Sequence, residues 1–151
     1  IGGTRKDASE FMKTYFEKYP NVEKYMQSNV EFCRKHGYVK TYFGRIRNIP
    51  EISSSNKNLQ NFGERAAMNM PLQGTASDII KLAMIRVYNA LKSNKLKSKL
   101  ILQVHDELII DTHASEVEAV KELLREEMES VVRLKVKLIT SISEGASWYE
   151  A

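Results

Sequence analysis

Apolar and polar positions recur along this chain with two different periods, and the changes of period divide it into elements. From Asp7 onward, Phe11, Tyr15 and Tyr19 return every four residues, which predicts a helix whose aromatic stripe packs into a core. Pro20 interrupts that helix, and a second follows with Val22, Met26, Val30 and Cys33 on its apolar side. Gly37, after His36, suits the left-handed cap position. Tyr38 to Ile49 forms two short alternating runs around Gly44, a small hairpin carrying Lys40, Arg45 and Arg47. The polar Ser53-Ser54-Ser55-Asn56 is rich in N-cap residues and opens a helix to about Met68. Pro71 is expected to stop or restart it, with helix resuming to about Asn94 and burying Leu72, Ala76, Ile79, Ala83, Val87 and Leu91. Ile1-Gly2-Gly3 has neither period and reads as a frayed start or a cut junction.

The period shortens again at Leu100–Ile110, where two apolar runs of strand length flank His105, Asp106 and Glu107. This reads as a tight hairpin with Asp106 and Glu107 at its tip. A helix is expected from about Ser115, with Ser115 and Glu118 as a capping box and Val117, Val120, Leu124, Met128 and Val131 buried. Val136, Leu138, Thr140 and Ile142 then alternate with other residues as a last strand. The predicted fold class is α+β, with helices first and then a small antiparallel sheet.

Composition adds bounds. At 151 residues, 42% hydrophobic and 28% charged, the chain can bury a real core and looks globular. No apolar run approaches the ~20 residues of a membrane helix, and no signal-peptide pattern opens the chain. Cys33 is the single cysteine, so no internal disulfide forms, which fits a reducing compartment. The net charge of +4 conceals an asymmetry: residues 1–100 hold 18 Lys/Arg against 8 Asp/Glu, whereas residues 101–151 hold 5 against 11. A basic first two-thirds suits a polyanionic partner, although a solvated surface has the same composition.

Candidate chemistry sits in three places. Adjacent carboxylates on a rigid hairpin, Asp106 and Glu107, can hold a hard divalent cation such as Mg²⁺; the bland alternative is a solvated acidic turn. Arg65, Asn69 and Gln73 stand four residues apart. If helix continues near Pro71 without a large change of direction, all three donors face one way and can meet the acceptors of a minor groove. The basic and aromatic residues of the Tyr38–Ile49 hairpin can contact a sugar-phosphate backbone, cations on phosphate and rings on sugars or bases. Lys92 to Lys99 adds four lysines, suited to solubility or nonspecific phosphate contact.

Several spaced blocks together resemble the C-terminal part of a family A DNA polymerase of the bacterial DNA polymerase I type. They are Gly37-Tyr38-Val39-Lys40-Thr41 with Gly44-Arg45, and Glu64-Arg65-Ala66-Ala67-Met68-Asn69-Met70-Pro71 with Leu72-Gln73-Gly74-Thr75-Ala76-Ser77-Asp78. Gln103-Val104-His105-Asp106-Glu107 and Gly145 with Trp148 follow in the family's order. The resemblance covers nearly the whole chain. It implies helical fingers over residues 1–94 and the C-terminal part of the palm over 95–151, a partial palm with a catalytic hairpin. It implies that Asp106 is a catalytic carboxylate ligating Mg²⁺ in a two-metal mechanism, with Glu107 an auxiliary acid near the metals. It further implies that Arg65, Asn69 and Gln73 touch the minor groove near the primer terminus. His105 would lie beside the terminal primer nucleotide, and Arg45 would contact DNA. The implied partners are primer-template DNA, dNTPs and the N-terminal part of the polymerase domain, in a bacterial cytoplasm at the nucleoid.

The departures are also specific. Ile46 stands where the family often has another arginine, and Ser77 and Ser143 where relatives usually have Ala and Gly. The family's first polymerase motif, with the other catalytic aspartate, lies upstream of these residues, and Asp7, Asp78 and Asp111 match no motif that replaces it. The isolated chain is therefore expected not to polymerise and to leave an exposed sheet edge beside the hairpin. The alternative is a non-catalytic duplex DNA-binding module, indifferent to Asp106→Asn. A metal-dependent phosphohydrolase would need a His/Asp cluster that the sequence does not display, and a purely structural helical unit would bind no duplex at low salt.

Overall fold

The computed structural model of the chain describes residues 3–150; Ile1 and Gly2, at the expected frayed start, lie outside them. The α+β class holds: the described residues form four α-helices and two separate two-stranded antiparallel sheets. The chain divides into two compact units, one through Thr75 and one from Ala76 on.

In the first unit, α1 (Arg5–Lys18) starts at a capping box. The Thr4 hydroxyl accepts the Asp7 N–H while the Asp7 carboxylate accepts the Thr4 N–H at 2.7 Å. That backbone bond, with a second from the Thr4 hydroxyl, holds the Asp7 carboxyl below its usual range. The aromatic stripe is not core: Phe11 is 72% exposed and Tyr15 and Tyr19 are exposed too. Helix α2 (Pro20–His36) is the main neighbour of α1, and one neighbouring helix covers only a narrow face, so Phe16 is the aromatic ring of α1 that it partly buries. The rings pack on one another instead, Tyr15 against Tyr19 at 5.1 Å between centroids. Pro20 occupies the first turn of α2, and Gly37 closes it at φ +79°, its N–H donating to the Cys33 carbonyl.

Strands β1 (Tyr38–Lys40) and β2 (Ile46–Asn48) pair antiparallel, Tyr38 opposite Asn48. A short 3-10 helix, Pro50–Ser53, leads to α3 (Lys57–Ser93). The first core joins Cys33, Val39, Ile49, Ile52, Ala67 and Met70, at roughly 1.5–3 kcal/mol for each large apolar side chain removed from water. Burial raises the Cys33 thiol pKa. Gly63 lets the 3-10 helix lie directly on α3: a Cβ there would come within 2.8 Å of the Ile52 nitrogen.

The expected break at Pro71 does not occur, because α3 runs unbroken for 37 residues. A mid-helix proline costs about 3 kcal/mol through the lost N–H and ring clash. Here Pro71 is buried, and its carbonyl accepts the Thr75 hydroxyl. Tertiary packing thus overrides local preference. The same packing shifts the apolar face: Met70, Pro71 and Ile80 are buried, whereas Leu72 and Ala76 are exposed. Ala83, Val87 and Leu91 are buried as expected.

In the second unit, Val87, Leu91 and Val120 form a core with Leu96, Leu100, Leu108, Ile110, Leu123, Leu124 and Met128 packed around it. Strands β3 (Lys99–Val104) and β4 (Glu107–Asp111) pair antiparallel, with a bulge between Leu100 and Leu102 that leaves Ile101 without a partner. Helix α4 (Val117–Glu129) starts two residues later than expected, after a 3-10 turn at Ala114–Glu116. The Ser115/Glu118 capping box does not form: Ser115 pairs with His113 and Glu118 with Lys121. Lys121 bridges Glu144 and Glu118, and both bonds raise its pKa. The last predicted strand is also absent. Residues 136–142 pair with no strand, and Val136 and Ile139 are 79% and 85% exposed. Alternation alone does not make a strand without a strand paired alongside it, and here Thr140 N–H donates to the Glu129 carboxylate.

Candidate nucleic-acid interface and carboxylate hairpin

Continuity of α3 through Pro71 carries the first candidate site. Arg65, Asn69 and Gln73 lie on this single helix, four residues apart, and all three are exposed. Their span is about 12 Å at ~1.5 Å per residue, comparable with three to four base steps at ~3.4 Å. The polar stripe read from spacing is therefore a continuous row of donors.

Beside its C-terminal end sits the β1–β2 hairpin. The turn Thr41-Tyr42-Phe43-Gly44 closes with the Gly44 N–H donating to the Thr41 carbonyl. Three contacts seat the hairpin on α3. Tyr42 N–H donates to the Thr75 hydroxyl at 2.9 Å, and the Arg45 guanidinium donates to the Gly74 carbonyl at 3.0 Å. Buried Thr41 lies against Gly74, where a Cβ would come within 2.7 Å of its methyl group. Arg45, a predicted DNA contact, thus also docks its own hairpin. Tyr42 and Phe43 are exposed at the turn. Sequence reasoning grouped them with the basic residues but did not single them out, and their place beside Gly44 in a turn was the available signal.

The carboxylates stand on β3–β4. Val104 pairs with Glu107, so His105 and Asp106 alone form the turn and Glu107 opens β4. The tip is one residue tighter than expected: Asp106 is in the turn, whereas Glu107 is on the strand. By alternation Glu107 shares a face with Ile109, opposite the core-packed Leu108 and Ile110. His105 adopts φ +51°, the left-handed region, and its carbonyl accepts the Gln103 side-chain amide at 2.7 Å. Backbone strain of this kind in a non-glycine residue costs roughly 1–3 kcal/mol and concentrates at functional sites.

His105, Asp106 and Glu107 are all exposed. Among the described residues no three His, Cys, Asp or Glu side chains are grouped to hold a metal. Mg²⁺ is commonly bound by one or two carboxylates together with phosphates and water. Asp106 with Glu107 fits that partial donor set and does not complete a cage. No helix is long and apolar enough to cross a membrane among the described residues.

Glu116 completes the region and was missed as a functional anchor. Its carboxylate accepts the Lys97 and Ser98 N–H groups and the Ser98 hydroxyl at 2.7–3.0 Å. Ser98 Oγ in turn accepts the His113 N–H, so the two ends of β3–β4 are tied at its base. The Lys97 N–H first, then the Ser98 hydroxyl, lower the Glu116 pKa to about 2.

Comparison with known proteins bears on these features. DNA polymerase I of Caldicellulosiruptor bescii is 53% identical over 97% of the chain, and that of Lactococcus lactis subsp. cremoris 46% over 100%. DNA polymerase I of Bacillus subtilis is 45% identical over 100%. The chain spans 17% of the length of each of these relatives. Among solved structures, the POL domain of Pol1 from M. smegmatis, in complex with DNA primer-template and dNTP, superposes with a TM-score of 0.96. It is 40% identical and covers 100% of this chain, which matches 27% of it. The sequence profile described as DNA polymerase family A matches residues 1–150, and the chain belongs to that family.

Proposed function

We propose that this chain forms part of a DNA-templated DNA polymerase, which adds deoxynucleotides from dNTPs to a primer 3′ end. The observation that carries this is Asp106 exposed at the strained tip of a rigid hairpin, in a chain of this family. Residues 1–94 supply part of the fingers, and 95–151 the C-terminal part of the palm. Asp106 would hold the Mg²⁺ ions of a two-metal site, with Glu107 beside it as an auxiliary acid; when bound, one ion would supply a lowered pKa at the primer 3′-hydroxyl and the other charge stabilisation at the leaving pyrophosphate. Arg65, Asn69 and Gln73 donate to minor-groove acceptors near the primer terminus, sensing duplex geometry rather than sequence. His105 lies against the terminal primer nucleotide, and Arg45 reaches the backbone. The bacterial relatives support a cytoplasmic place of action at the nucleoid.

On its own the 151-residue chain should not extend a primer, because the described residues group no third Asp, Glu, His or Cys with Asp106 and Glu107 to hold a metal. Completion comes from the N-terminal part of the polymerase domain. The test is primer extension with Mg²⁺ and all four dNTPs, by the chain alone and by its Asp106→Asn variant. Extension that disappears with Asp106→Asn would show that a second carboxylate reaches the hairpin, and inactivity would be wrong. A second reading, a non-catalytic duplex-binding module, rests on the donor row of α3. Duplex affinity without activity, even when the chain is restored to a complete polymerase, would favour it.

A further inference from the structure

The segment that joins α3 to β3 carries Lys92, Lys95, Lys97 and Lys99, and the polymerase reading gives these lysines no task. All four are exposed, and among the described residues none pairs with a carboxylate. Their backbone is fixed at each step. The Lys95 N–H donates to the Lys92 carbonyl and the Leu96 N–H to the Leu91 carbonyl, the pair of bonds that closes a helix on a left-handed residue. Leu96 packs against the core that contains Leu91. Lys97 and Ser98 then donate their N–H groups to the Glu116 carboxylate, and buried Ser98 separates exposed Lys97 from exposed Lys99. The left-handed residue is Lys95, at φ +54°, a place where glycine fits without strain. Lys92 and Lys95 lie at the negative end of the α3 dipole, which accounts for a cation there. It does not account for Lys97 and Lys99, which lie beyond the helix.

These cations are kept apart from the carboxylate tip. Lys99 and Asp111 form the first pair of β3–β4 and Val104 and Glu107 the last. The lysines therefore stand at the opposite end of the hairpin from Asp106, about 17 Å away at ~3.3 Å per residue. That exceeds a Debye length of ~8 Å, so their charge is largely screened from the metal carboxylates. Lys97 and Lys99 are two residues apart, at most ~7 Å, which matches two base steps of ~3.4 Å. We infer that Lys95, Lys97 and Lys99 form a fixed strip that binds the phosphate backbone of duplex DNA, in addition to the contacts proposed for α3 and resting on the same duplex reading.

The test is fluorescence anisotropy of the full 151-residue chain with a labelled blunt DNA duplex over a series of salt concentrations. Each phosphate contact contributes about 0.9 to the slope of log affinity against log salt. Lys97→Gln with Lys99→Gln should make that slope shallower by about two. Lys6→Gln with Lys24→Gln, the same change of net charge on α1 and α2, should leave it nearly unchanged. A thermal melt confirms that these variants of exposed residues fold. Lys95→Gly should melt at a higher temperature than the parent and still lose about one from the slope. A lysine with a merely structural role would not combine gained stability with weakened binding. A slope unmoved by the Lys97 and Lys99 changes, or moved equally by those at Lys6 and Lys24, overturns the strip and leaves the α3 row standing. No duplex binding by the parent overturns the duplex reading together with it. Loss of binding to a poly-glutamate probe in the Lys97 and Lys99 variant, with the duplex slope unchanged, assigns the lysines to an acidic protein partner and overturns the proposal.

Discussion

Hairpin β1–β2 is fastened along one side to α3 by neutral acceptors, the Thr75 hydroxyl and the Gly74 carbonyl. Hairpin β3–β4 is instead closed at its base by the Glu116 carboxylate and packs its apolar face on α3 and α4 residues. Both are two-stranded and antiparallel, yet one exposes cations and rings and the other a strained turn with carboxylates. The difference teaches how each projects its chemistry. The basic hairpin uses a hydroxyl and a backbone carbonyl of α3 as acceptors, with a close approach at Gly74. An acidic hairpin can be anchored by a carboxylate, provided that backbone N–H groups and a hydroxyl satisfy it away from the tip.

The largest expected effect separates the hairpins by chemistry. In the complete polymerase, Asp106→Asn should lower kcat by on the order of 10²–10³-fold, since metal-borne charge stabilisation is worth several kcal/mol at about 1.4 kcal/mol per tenfold. Arg45→Ala should lower DNA affinity and its salt dependence and also loosen the hairpin that Arg45 docks on α3, with little change in the chemical step. Single-turnover kinetics with a matched DNA titration checks both, and an unaltered rate in Asp106→Asn would remove catalysis from β3–β4. A smaller effect tests the neutral fastening. Gly74→Ala drives a Cβ to 2.7 Å from the Thr41 methyl and should destabilise the fold by roughly 1–3 kcal/mol in urea unfolding. Thr41→Ser removes that methyl and should restore most of the loss in the double variant. Additive losses would mean that the contact at Gly74 is not the fastening.

What the sequence disclosed follows from how local each signal is. Both hairpins were legible, since each is a short alternating run closed by its own turn, and Gly37 marked its cap by the φ that only a glycine adopts easily. The Arg65-Asn69-Gln73 row was legible by spacing alone, but its continuity depended on Pro71, whose helical place is set by packing from outside the helix. The aromatic stripe of α1 and the alternation of residues 136–142 misled for one reason. Periodicity reports which face is apolar, whereas burial and pairing need a neighbour that the pattern does not contain. Glu116 was invisible because its partners Lys97 and Ser98 lie on the far side of a whole hairpin.

The smallest effect is a matter of pH, and it falls on one hairpin only. The Glu116 pKa is lowered from 4.5 to about 2, so the folded state favours the carboxylate more than the unfolded chain does. Stability from Glu116 is therefore complete above pH 4.5 and is lost as pH falls from 4.5 toward about 2. Glu116→Gln keeps an acceptor but no charge. It should be less stable than the parent at pH 7, lose less on acidification across that window, and converge with the parent near its lower end. Thermal midpoints at steps through the window measure this. Asp7, also lowered by its Thr4 bonds, leaves a residual acid slope in both proteins, and Asp7→Asn in the Gln background should remove it. Tyr42 N–H donates to the Thr75 hydroxyl, so amide protection at Tyr42 should hold between pH 4.5 and 3 while protection at Lys97 and Ser98 falls. Parallel loosening at both hairpins would mean that acid acts on the whole fold, and the carboxylate at the base of β3–β4 would then not be what distinguishes them.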